Sequence, residues 1–386
     1  MCMKKDRILF LGAGPAFTRS IVFQDKYLRL SSVYSGDIIT PVPGVDYLDL
    51  TRVGYFDIHP FLYYRGSSIL RNVYSCFHTV LRALKIHYLG RRYRVVISPN
   101  PLLTGLTALF IAKITGAKSI IEVNGNFESA FKFSRLGRKK ANRAEKIKDK
   151  LSRPLIKSTL KWADMVKLTY RDQLKPLKMC DEDRITRICF PNYVPIRTFI
   201  ESEKHDGRYI LLLGFPWYLK GVDILIKAFH KISPYYPDMR LKVVGWCPDG
   251  REYFESLTAG DPRIELLEPV HYEQVIPLMT GCTMYVLASR TDSSPRVLRE
   301  AMASQKPIIA ANVDGVPDLI RDGYNGLLFE MENVDDLAEK ILVLLENHEL
   351  GRSLGQNGLF HVQKHLSEDR YINSFQDMIE RTLGDS

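Results

Sequence analysis

Two successive sets of apolar, β-rich segments, each alternating with helical patterns, are the feature that most limits how this chain can fold. Several of these segments are nearly continuous hydrophobic runs, which is typical of strands buried on both faces of a parallel sheet. The strand candidates are RILFLG, RVVISP, SIIEVN, MVKLTY, YILLLG, LKVVGW, MYVLAS and KPIIAA. Because helical patterns lie between them, the series predicts doubly wound α/β units.

Length and a proline-containing break indicate two domains. The chain has 386 residues, more than one compact core usually holds. The stretch FPNYVPIRTFIESEKHDG separates the two series and is typical of a linker. We predict Rossmann-like domains at residues 1–195 and 196–365, with a final helix within 366–386. The apolar side of that helix is formed by Tyr371, Phe375, Met378 and Ile379. Two such domains leave a cleft between the carboxyl ends of their strands, where ligands bind.

Cysteine usage and the length of the apolar stretches indicate a compartment. The six cysteines form no C-x-x-C pair and no zinc-binding spacing, as expected of thiols in a reducing environment. The start, MCMKKDRILFLGAGPAF, is broken early by glycine and proline, so it predicts a first strand and no signal peptide. The most apolar stretch, PLLTGLTALFIA, is too short to span a bilayer. We therefore expect a cytoplasmic protein without a transmembrane helix.

Positive charge is concentrated in one part of the chain. The net charge is +10, and residues 132–161 hold 12 Lys and Arg against two acids, a surplus that equals the whole net charge. This basic stretch has three interpretations: a solvated helix face, a surface for anionic phospholipid, or a nucleic-acid site. Phenylalanine, leucine and isoleucine lie among the cations, which favours lipid over nucleic acid. No helix-turn-helix, RNA-recognition or zinc-finger pattern accompanies the stretch, so no nucleic-acid partner is predicted.

The segment TDSSPRVLREAMASQKPIIAANVDGVPDLI, residues 291–320, carries the most specific signal for function. A buried strand precedes it, and Ser293 or Ser294 is predicted to cap a helix with Pro295 in its first turn. The start of this helix then projects from the end of a strand into the predicted cleft. Unpaired backbone N–H groups at such a start form a ready site for an anion.

Two acids flank that helix start. Asp292 precedes it and Glu300 lies about two turns inside, so a rise of about 1.5 Å per residue separates them by about 12 Å along the axis. This is too wide for two carboxylates acting on one bond. It suits two carboxylates that bind different hydroxyl groups of a long ligand with an anionic centre, as in a nucleotide sugar. The alternative is a surface helix on which Glu300 is solvated.

Two glycine-containing turns are further candidates for phosphate contacts. In LLLGFPWYLKGVDILIKAF, the turn after Gly214 brings Lys220 to the start of a helix, where its charge can reach a phosphate. In LGAGPAF, Gly12 and Gly14 form a partial G-x-G without the third glycine of a dinucleotide fingerprint. That loop is a poor dehydrogenase signature, but it could close over a diphosphate from the opposite domain.

The second half of the chain resembles the nucleotide-sugar-binding domain of the family 4 retaining glycosyltransferases, the "glycosyl transferases group 1", which have the GT-B fold. The segments that carry the resemblance occur in the family's order and spacing over most of residues 207–350. They are LLLGFPWYLKGVDILIKAF, LKVVGW, MYVLASRTDSSPRVLREAMASQKPIIAANVDGVPDLIRDGYNGLLFE and DDLAEKILVLL. The first half matches more loosely, in WADMVKLTYRDQLKPL and ITRICFPNYVPIRTF. The resemblance implies a GT-B fold whose C-terminal helix returns to the acceptor-binding first domain.

The resemblance also implies roles for individual residues. Glu300 would bind the ribose hydroxyls and Asp292 would contact the donor sugar. The catalytic set would be Asp292, Lys220 and Asn124. The donor site would be formed by Glu300, Lys220, Ser293, Ser294, Val297, Leu298, Gly214, Gly12 and Gly14. The amides around Val297 and Leu298, together with Lys220, would hold the diphosphate. Transfer would proceed on one face of the sugar with retention, and no metal or other cofactor would be required.

The chain departs from the family pattern at four positions. Asp292 stands where the family usually has glutamate, and Ser293 replaces the following glycine. Phe215 replaces the usual diphosphate-binding arginine, which leaves Lys220 as the cation of this motif. Asn124 stands at a position often held by histidine. These changes leave the donor sugar undetermined.

Three hypotheses follow for the function. The favoured one is a hexosyl- or N-acetylhexosaminyltransferase (EC 2.4) that acts on a saccharide, lipid-linked acceptor in surface polysaccharide or glycolipid biosynthesis. Such an enzyme would work in the cytoplasm as a peripheral protein at the inner face of the cell membrane. A GT-B-fold sugar-nucleotide epimerase would need acid and base groups at the sugar, for which the sequence offers no residues. A basic membrane- or nucleic-acid-binding protein without catalysis would leave the second half unexplained.

Overall fold

The structure is a computed structural model, and it describes residues 6–12, 20–64, 68–125, 143–179, 185–205, 207–247 and 250–384. Within these residues the chain forms two parallel α/β sheets, each with helices on both faces.

The first sheet is built from the N-terminal half of the chain. Its strands are β1 (Arg7–Leu11), β2 (Ser35–Val42), β3 (Arg52–Val53), β4 (Phe56–Leu62), β5 (Val95–Ser98), β6 (Lys118–Glu122), β7 (Met165–Leu168) and β8 (Arg187–Cys189). The helices of this half are α1 (Ile21–Leu30), α2 (Ser68–Tyr88), α3 (Leu103–Thr115) and α4 (Arg143–Trp162). The strand order is β3-β4-β2-β1-β5-β6-β7-β8, and every neighbouring pair is parallel except β3 and β4.

The second sheet has six strands, all parallel. They are β9 (Tyr209–Leu213), β10 (Arg240–Val244), β11 (Ile264–Leu267), β12 (Met284–Leu287), β13 (Ile308–Ala311) and β14 (Leu327–Phe329), in the order β11-β10-β9-β12-β13-β14. The helices from here to the C-terminus are α5 (Arg197–Glu201), α6 (Val222–Ile232), α7 (Arg251–Leu257), α8 (Tyr272–Gly281), α9 (Arg296–Ala303), α10 (Val334–Glu346), α11 (His348–His365) and α12 (Glu368–Leu383).

In each sheet, the direction in which the chain adds successive strands reverses at one point. Ligands of such folds bind at that point. The chain builds outward from β1 to β4 and then from β5 to β8, so the first sheet reverses between β1 and β5. The second sheet reverses in the same way between β9 and β12. Loops on opposite sides of such a reversal point diverge and leave a crevice at the carboxyl ends of the strands. The segments that carry Lys220 and Asp292 follow β9 and β12, one on each side of that crevice.

The final helix packs on the first sheet although it follows the second in sequence. Helix α12 contacts β6 and β7, and its side chains Tyr371, Phe375, Met378 and Ile379 are all buried there. The apolar side predicted from the sequence is therefore the buried side. Helix α12 thus covers part of the first domain's core.

The eight strands predicted from apolar runs are all present, but six further strands were not predicted: β2, β3, β4, β8, β11 and β14. Of these, β2 and β4 each contain polar residues and a proline that break the pattern of a buried strand. In β2, Asp37 is completely buried and pairs with Arg7 at 2.6 Å and with His59 at 2.8 Å. Partners from β1 and β4 thus satisfy a carboxylate that would otherwise exclude this segment from a core.

No helix in the described part of the chain combines the length and the apolar character that a membrane span requires.

Candidate active site

The loop that carries Asp292 is fixed by hydrogen bonds to the loop after β13. The Asp292 amide donates to the Asp314 carboxylate at 2.9 Å, and the Thr291 hydroxyl donates to the same oxygen at 2.5 Å. The Gly315 amide donates to the Asp292 carbonyl oxygen at 3.2 Å. The Asp292 side chain is thereby held beside the reversal point of the second sheet.

Lys220 reaches this carboxylate from the other side of the crevice. Its Nζ atom lies 2.5 Å from Oδ2 of Asp292, and both side chains are largely shielded from solvent. The lysine stem passes over Gly214, where a Cβ atom would lie 3.1 Å from the lysine Cε. Gly221 is required next to it, because its φ is +68° and a Cβ there would lie 1.9 Å from the Ala288 carbonyl oxygen. The two residues predicted to act on one ligand are therefore in contact.

A buried arginine ties the two loops together. Both terminal nitrogens of the Arg290 guanidinium donate to the Asp223 carboxylate, at 2.8 and 2.9 Å, and the Arg290 Cζ atom lies 3.9 Å from the ring centre of Tyr218. The Arg290 amide also donates to the Leu219 carbonyl oxygen at 2.8 Å. Arg290 therefore sets the distance between the Lys220 loop and the Asp292 loop. No motif in the sequence identified it, since its partner is 67 residues away.

The predicted serine cap of α9 is wrong. The helix begins at Arg296, one residue later than predicted, and Pro295 occupies the cap position without accepting any side-chain hydrogen bond. Ser294 instead lies near the guanidinium of Arg299, whose Nη2 is 3.4 Å from the serine Oγ. Because no cap side chain accepts from the first turn, the amides near Val297 and Leu298 retain their capacity to bind an anion. The Leu298 side chain itself is buried in the core.

The alternative in which Glu300 is a solvated surface residue is also wrong. Glu300 is only 2% exposed, and it accepts a hydrogen bond from the Tyr272 hydroxyl at 2.9 Å. Burial raises the pKa of its carboxyl group. A carboxylate has about four lone-pair positions, so the tyrosine leaves capacity for ligand hydroxyl groups. Tyr272, on α8, was not predicted because nothing in its sequence context marks it.

The first domain contributes a cavity of about 620 Å³ at its own reversal point. Gly12, Asn124 and Arg296 all line it, so the first turn of α9 faces the first domain across the cleft. The Asn124 amide donates to the Pro99 carbonyl oxygen at 3.2 Å and to Glu122 at 3.0 Å. The Gly12 amide donates to the Ile39 carbonyl oxygen at 2.8 Å. Gly14 lies outside the described residues.

A chain of buried polar contacts connects this cavity to the Asp292 loop. The Arg299 guanidinium donates both to the Ser294 hydroxyl and to the Asn192 carbonyl oxygen. The Lys167 Nζ atom donates to the Asn192 side chain at 2.7 Å. Lys167 then lies 3.8 Å from Glu122, which accepts from Asn124. Burial lowers the pKa of Lys167 to about 8 and that of Arg299 to about 10.

The series of polar contacts thus extends from Asn124 in the first domain to Ser294 in the second. Lys167 and Arg299 are among the largest fully buried side chains of the protein. Buried charges persist only where such contacts compensate them. These contacts therefore favour one relative position of the two halves of the site.

In the described part of the chain, no group of three or more His, Cys, Asp or Glu side chains is arranged to hold a metal ion.

Comparison with known proteins agrees with this architecture. Residues 207–347 match the family model described as glycosyl transferases group 1. An uncharacterized glycosyltransferase of Methanocaldococcus jannaschii is 41% identical over 157 residues, which are 40% of this chain and 42% of that protein. The curated relatives that this chain matches are thus covered over only about two-fifths of their own length.

Solved structures match over the whole chain. Sucrose-phosphate synthase from Thermosynechococcus elongatus has a TM-score of 0.78 at 15% identity, with 99% of this chain and 100% of that chain covered. The Anabaena protein HepE, crystallised with UDP, has a TM-score of 0.72 at 14% identity over 97% and 99% of the two chains. These likenesses confirm the predicted fold, two doubly wound Rossmann-like domains of the GT-B type.

Proposed function

We propose that the protein is a retaining glycosyltransferase that uses a nucleoside diphosphate sugar as donor. The observation that carries the proposal is the contact between Lys220 and Asp292 at the reversal point of the second sheet, directly before the uncapped start of α9. The match of residues 207–347 to group 1 glycosyltransferases supports the same activity, and the UDP bound to the Anabaena protein supports a nucleotide donor.

In this proposal, different parts of the donor bind to different groups of the site. The diphosphate lies over the amides of the first turn of α9, with the Lys220 ammonium as its counter-charge. The ribose hydroxyls bond to Glu300, and the sugar contacts Asp292. Phe215 is 61% exposed beside Trp246 and supplies no charge, so Lys220 is the cation of this turn. The donor sugar is a hexosyl or N-acetylhexosaminyl group, and its base is left open.

We further propose that transfer takes place without a metal or another cofactor. The bond between the sugar C1 and the leaving phosphate oxygen breaks while the acceptor oxygen bonds to C1 on the same face. The leaving phosphate oxygen takes the acceptor proton, so charge and proton balance within the two substrates. Lys220 and the α9 amides stabilise the charge that develops on the leaving diphosphate. Asn124, across the cleft, faces the acceptor.

The acceptor is a saccharide that binds in the cavity of the first domain. Its wall combines aromatic and aliphatic side chains with polar groups such as Lys26, Asn100 and Asn192, which suits the apolar faces and hydroxyl groups of a sugar. We further propose that this saccharide is lipid-linked, on the path to a surface polysaccharide or glycolipid. The protein would then act in the cytoplasm, bound peripherally to the inner face of the cell membrane.

Thermal unfolding in the presence of UDP, GDP, ADP and their sugar conjugates tests the donor assignment. A ligand at about 100 times its dissociation constant stabilises the native state by about 2.7 kcal/mol. With the donor so identified, NMR of the product's anomeric configuration tests retention. An inverted product contradicts the proposed mechanism, and absence of stabilisation by every nucleotide contradicts the donor site.

Replacing Glu300 by glutamine is expected to weaken binding of both the nucleoside diphosphate and its sugar conjugate. The amide keeps the shape of the side chain but loses a charged hydrogen bond to ribose, worth about 1.5–3 kcal/mol. Calorimetric titration measures the change, with Glu273→Gln on the exposed side of α8 as the matched control. Equal nucleotide affinity in E300Q and the wild type would remove the ribose assignment.

A further inference from the structure

Helix α2 exposes a stripe of large apolar side chains to solvent. Successive members of the stripe are three, four or seven residues apart, as they are on one face of a helix. We name it the α2 ridge; its members are Leu70, Val73, Phe77, Leu81 and Tyr88. Each side chain is between 48% and 69% exposed, while Thr79, Ala83 and His87 on the opposite side are buried. With 21 residues and a rise of about 1.5 Å per residue, α2 extends the ridge over about 30 Å.

The neighbouring helices extend this surface. Helices α2, α3 and α4 lie on one face of the first sheet, where α3 contacts both other helices. Phe110 and Ile114 of α3 and Leu151 and Trp162 of α4 are also exposed. Exposed apolar area of this extent marks a surface that binds a partner or a membrane.

The charges around the ridge select the partner. Where the side chains of the three helices are described, at residues 70–88, 103–115 and 150–162, they include eight Lys and Arg and no acid. A second copy of this chain would place like charges against each other, which opposes a symmetric dimer through this face. Nucleic acid would engage the cations but not the apolar stripe. An interface of anionic lipid takes both: headgroups meet the cations and acyl chains meet the apolar side chains.

A groove at the C-terminal end of α2 supplies a place for a headgroup. It has a volume of about 350 Å³ and is lined by His59, Arg82, Lys85, Ile86, Leu89 and Arg91. Arg91 is bonded to Asp57 at 2.6 Å, and His59 to Asp37. Arg82 lies over the Phe61 ring at 5.5 Å, and neither Arg82 nor Lys85 forms an ion pair with an acid of the described residues. Their charges are therefore available to a phosphate.

The other end of α2 lies beside the cleft. A small cavity of about 140 Å³ between α2, α3 and the strand ends is lined by Asn72 and Ser75 of α2. It shares Leu11, Gly12 and Asn100 with the larger cavity of the first domain. A surface bound along α2 is thus adjacent to the proposed acceptor site.

We propose that the α2 ridge and the basic groove at its end dock the protein on an anionic phospholipid surface. The purpose of the docking, delivery of a membrane-borne acceptor, rests on the proposed function; the docking itself does not. The proposed contact surface thus extends beyond the basic stretch at residues 132–161. Residues 132–142 of that stretch lie outside the described structure.

Co-sedimentation with lipid vesicles tests the proposal. We expect the wild type to bind vesicles of phosphatidylcholine with phosphatidylglycerol at low salt and to ignore pure phosphatidylcholine. The double variant V73S/F77S should lose at least about tenfold in affinity, since both side chains leave the apolar interface. Arg82→Gln with Lys85→Gln should lose about fivefold per cation, and less at high salt. Phe360→Ser and Lys227→Gln, exposed sites in the second half, are the matched controls.

Several results would overturn the docking surface. They are equal binding of V73S/F77S and wild type, equal binding to neutral vesicles, or loss only in a variant with Arg138, Lys139, Lys140 and Arg143 replaced by serine. Binding of duplex DNA that depends on Arg82 and Lys85 but not on Phe77 would assign the face to nucleic acid instead. Nucleotide-dependent thermal stabilisation, measured on the same samples, separates failure of the docking surface from failure of the donor site.

Discussion

Replacing Lys220 by alanine is expected to lower the affinity for a nucleoside diphosphate by about tenfold to about 150-fold while leaving the affinity for the nucleoside unchanged. The lost charged hydrogen bond to phosphate is worth about 1.5–3 kcal/mol. The rate of transfer should fall further, by about a hundredfold to a thousandfold in kcat, because the charge on the leaving diphosphate grows in the transition state. With Lys220 removed, the Asp292 carboxylate also faces the diphosphate without its partner, which adds repulsion.

Calorimetry with the two ligands and a transfer assay measure these changes. The control is Lys227→Ala, which removes an exposed lysine on α6, the helix that follows Lys220; it should leave the affinities and the transfer rate unchanged. Equal losses for nucleoside and nucleoside diphosphate would mean that Lys220 acts through the fold of its loop and does not contact phosphate.

Replacing Asp223 by alanine is expected to destabilise the second domain by about 3 kcal/mol or more. Asp223 and Arg290 are both nearly inaccessible to solvent and form a two-point contact. The variant therefore leaves the guanidinium buried with Glu332 as its charged partner among the described residues. Removing one member of a buried ion pair typically costs about 3–5 kcal/mol. Because Arg290 holds the Lys220 and Asp292 loops together, nucleotide affinity should fall in the same variant.

An exposed ion pair in the same domain provides the comparison. Arg208 and Asp238 lie 2.8 Å apart, yet both side chains are about three-quarters exposed. Asp238→Ala should therefore cost no more than about 1 kcal/mol. Urea unfolding followed by tryptophan fluorescence measures both variants, since Trp217 and Trp246 lie in the second domain. A similar small effect of both substitutions would show that Arg290 is not a structural tie.

The architecture was predictable from the sequence because buried parallel strands are marked by their own composition. Segments such as YILLLG and KPIIAA need no partner to be recognised, and their alternation with helices defines the sheets. Strand β2 was missed for the opposite reason. Its Asp37 is acceptable in the core only because Arg7 and His59 lie against it, and both come from other strands.

The same distinction holds for the candidate site: residues marked by local patterns were predicted, and partners distant in sequence were not. The positions of Asp292 and Lys220 followed from local strand-turn-helix patterns, and the structure brings the two side chains together. The partners that fix the site could not be predicted from local patterns, because they are distant in sequence. Tyr272 lies 28 residues from Glu300, and Asn192 lies 107 residues from Arg299. The serine cap failed for a local reason: Pro295 takes the cap position, and Arg299 approaches Ser294 instead.

A crystal structure of the protein with the nucleoside diphosphate selected by thermal stabilisation tests the central claim most directly. The proposed function predicts the diphosphate over the first turn of α9 within hydrogen-bond distance of Lys220, with the ribose hydroxyls on the Glu300 carboxylate. A nucleotide bound in the first domain, or one bound in the second domain with Lys220 still on Asp292 and no contact to α9, would contradict it.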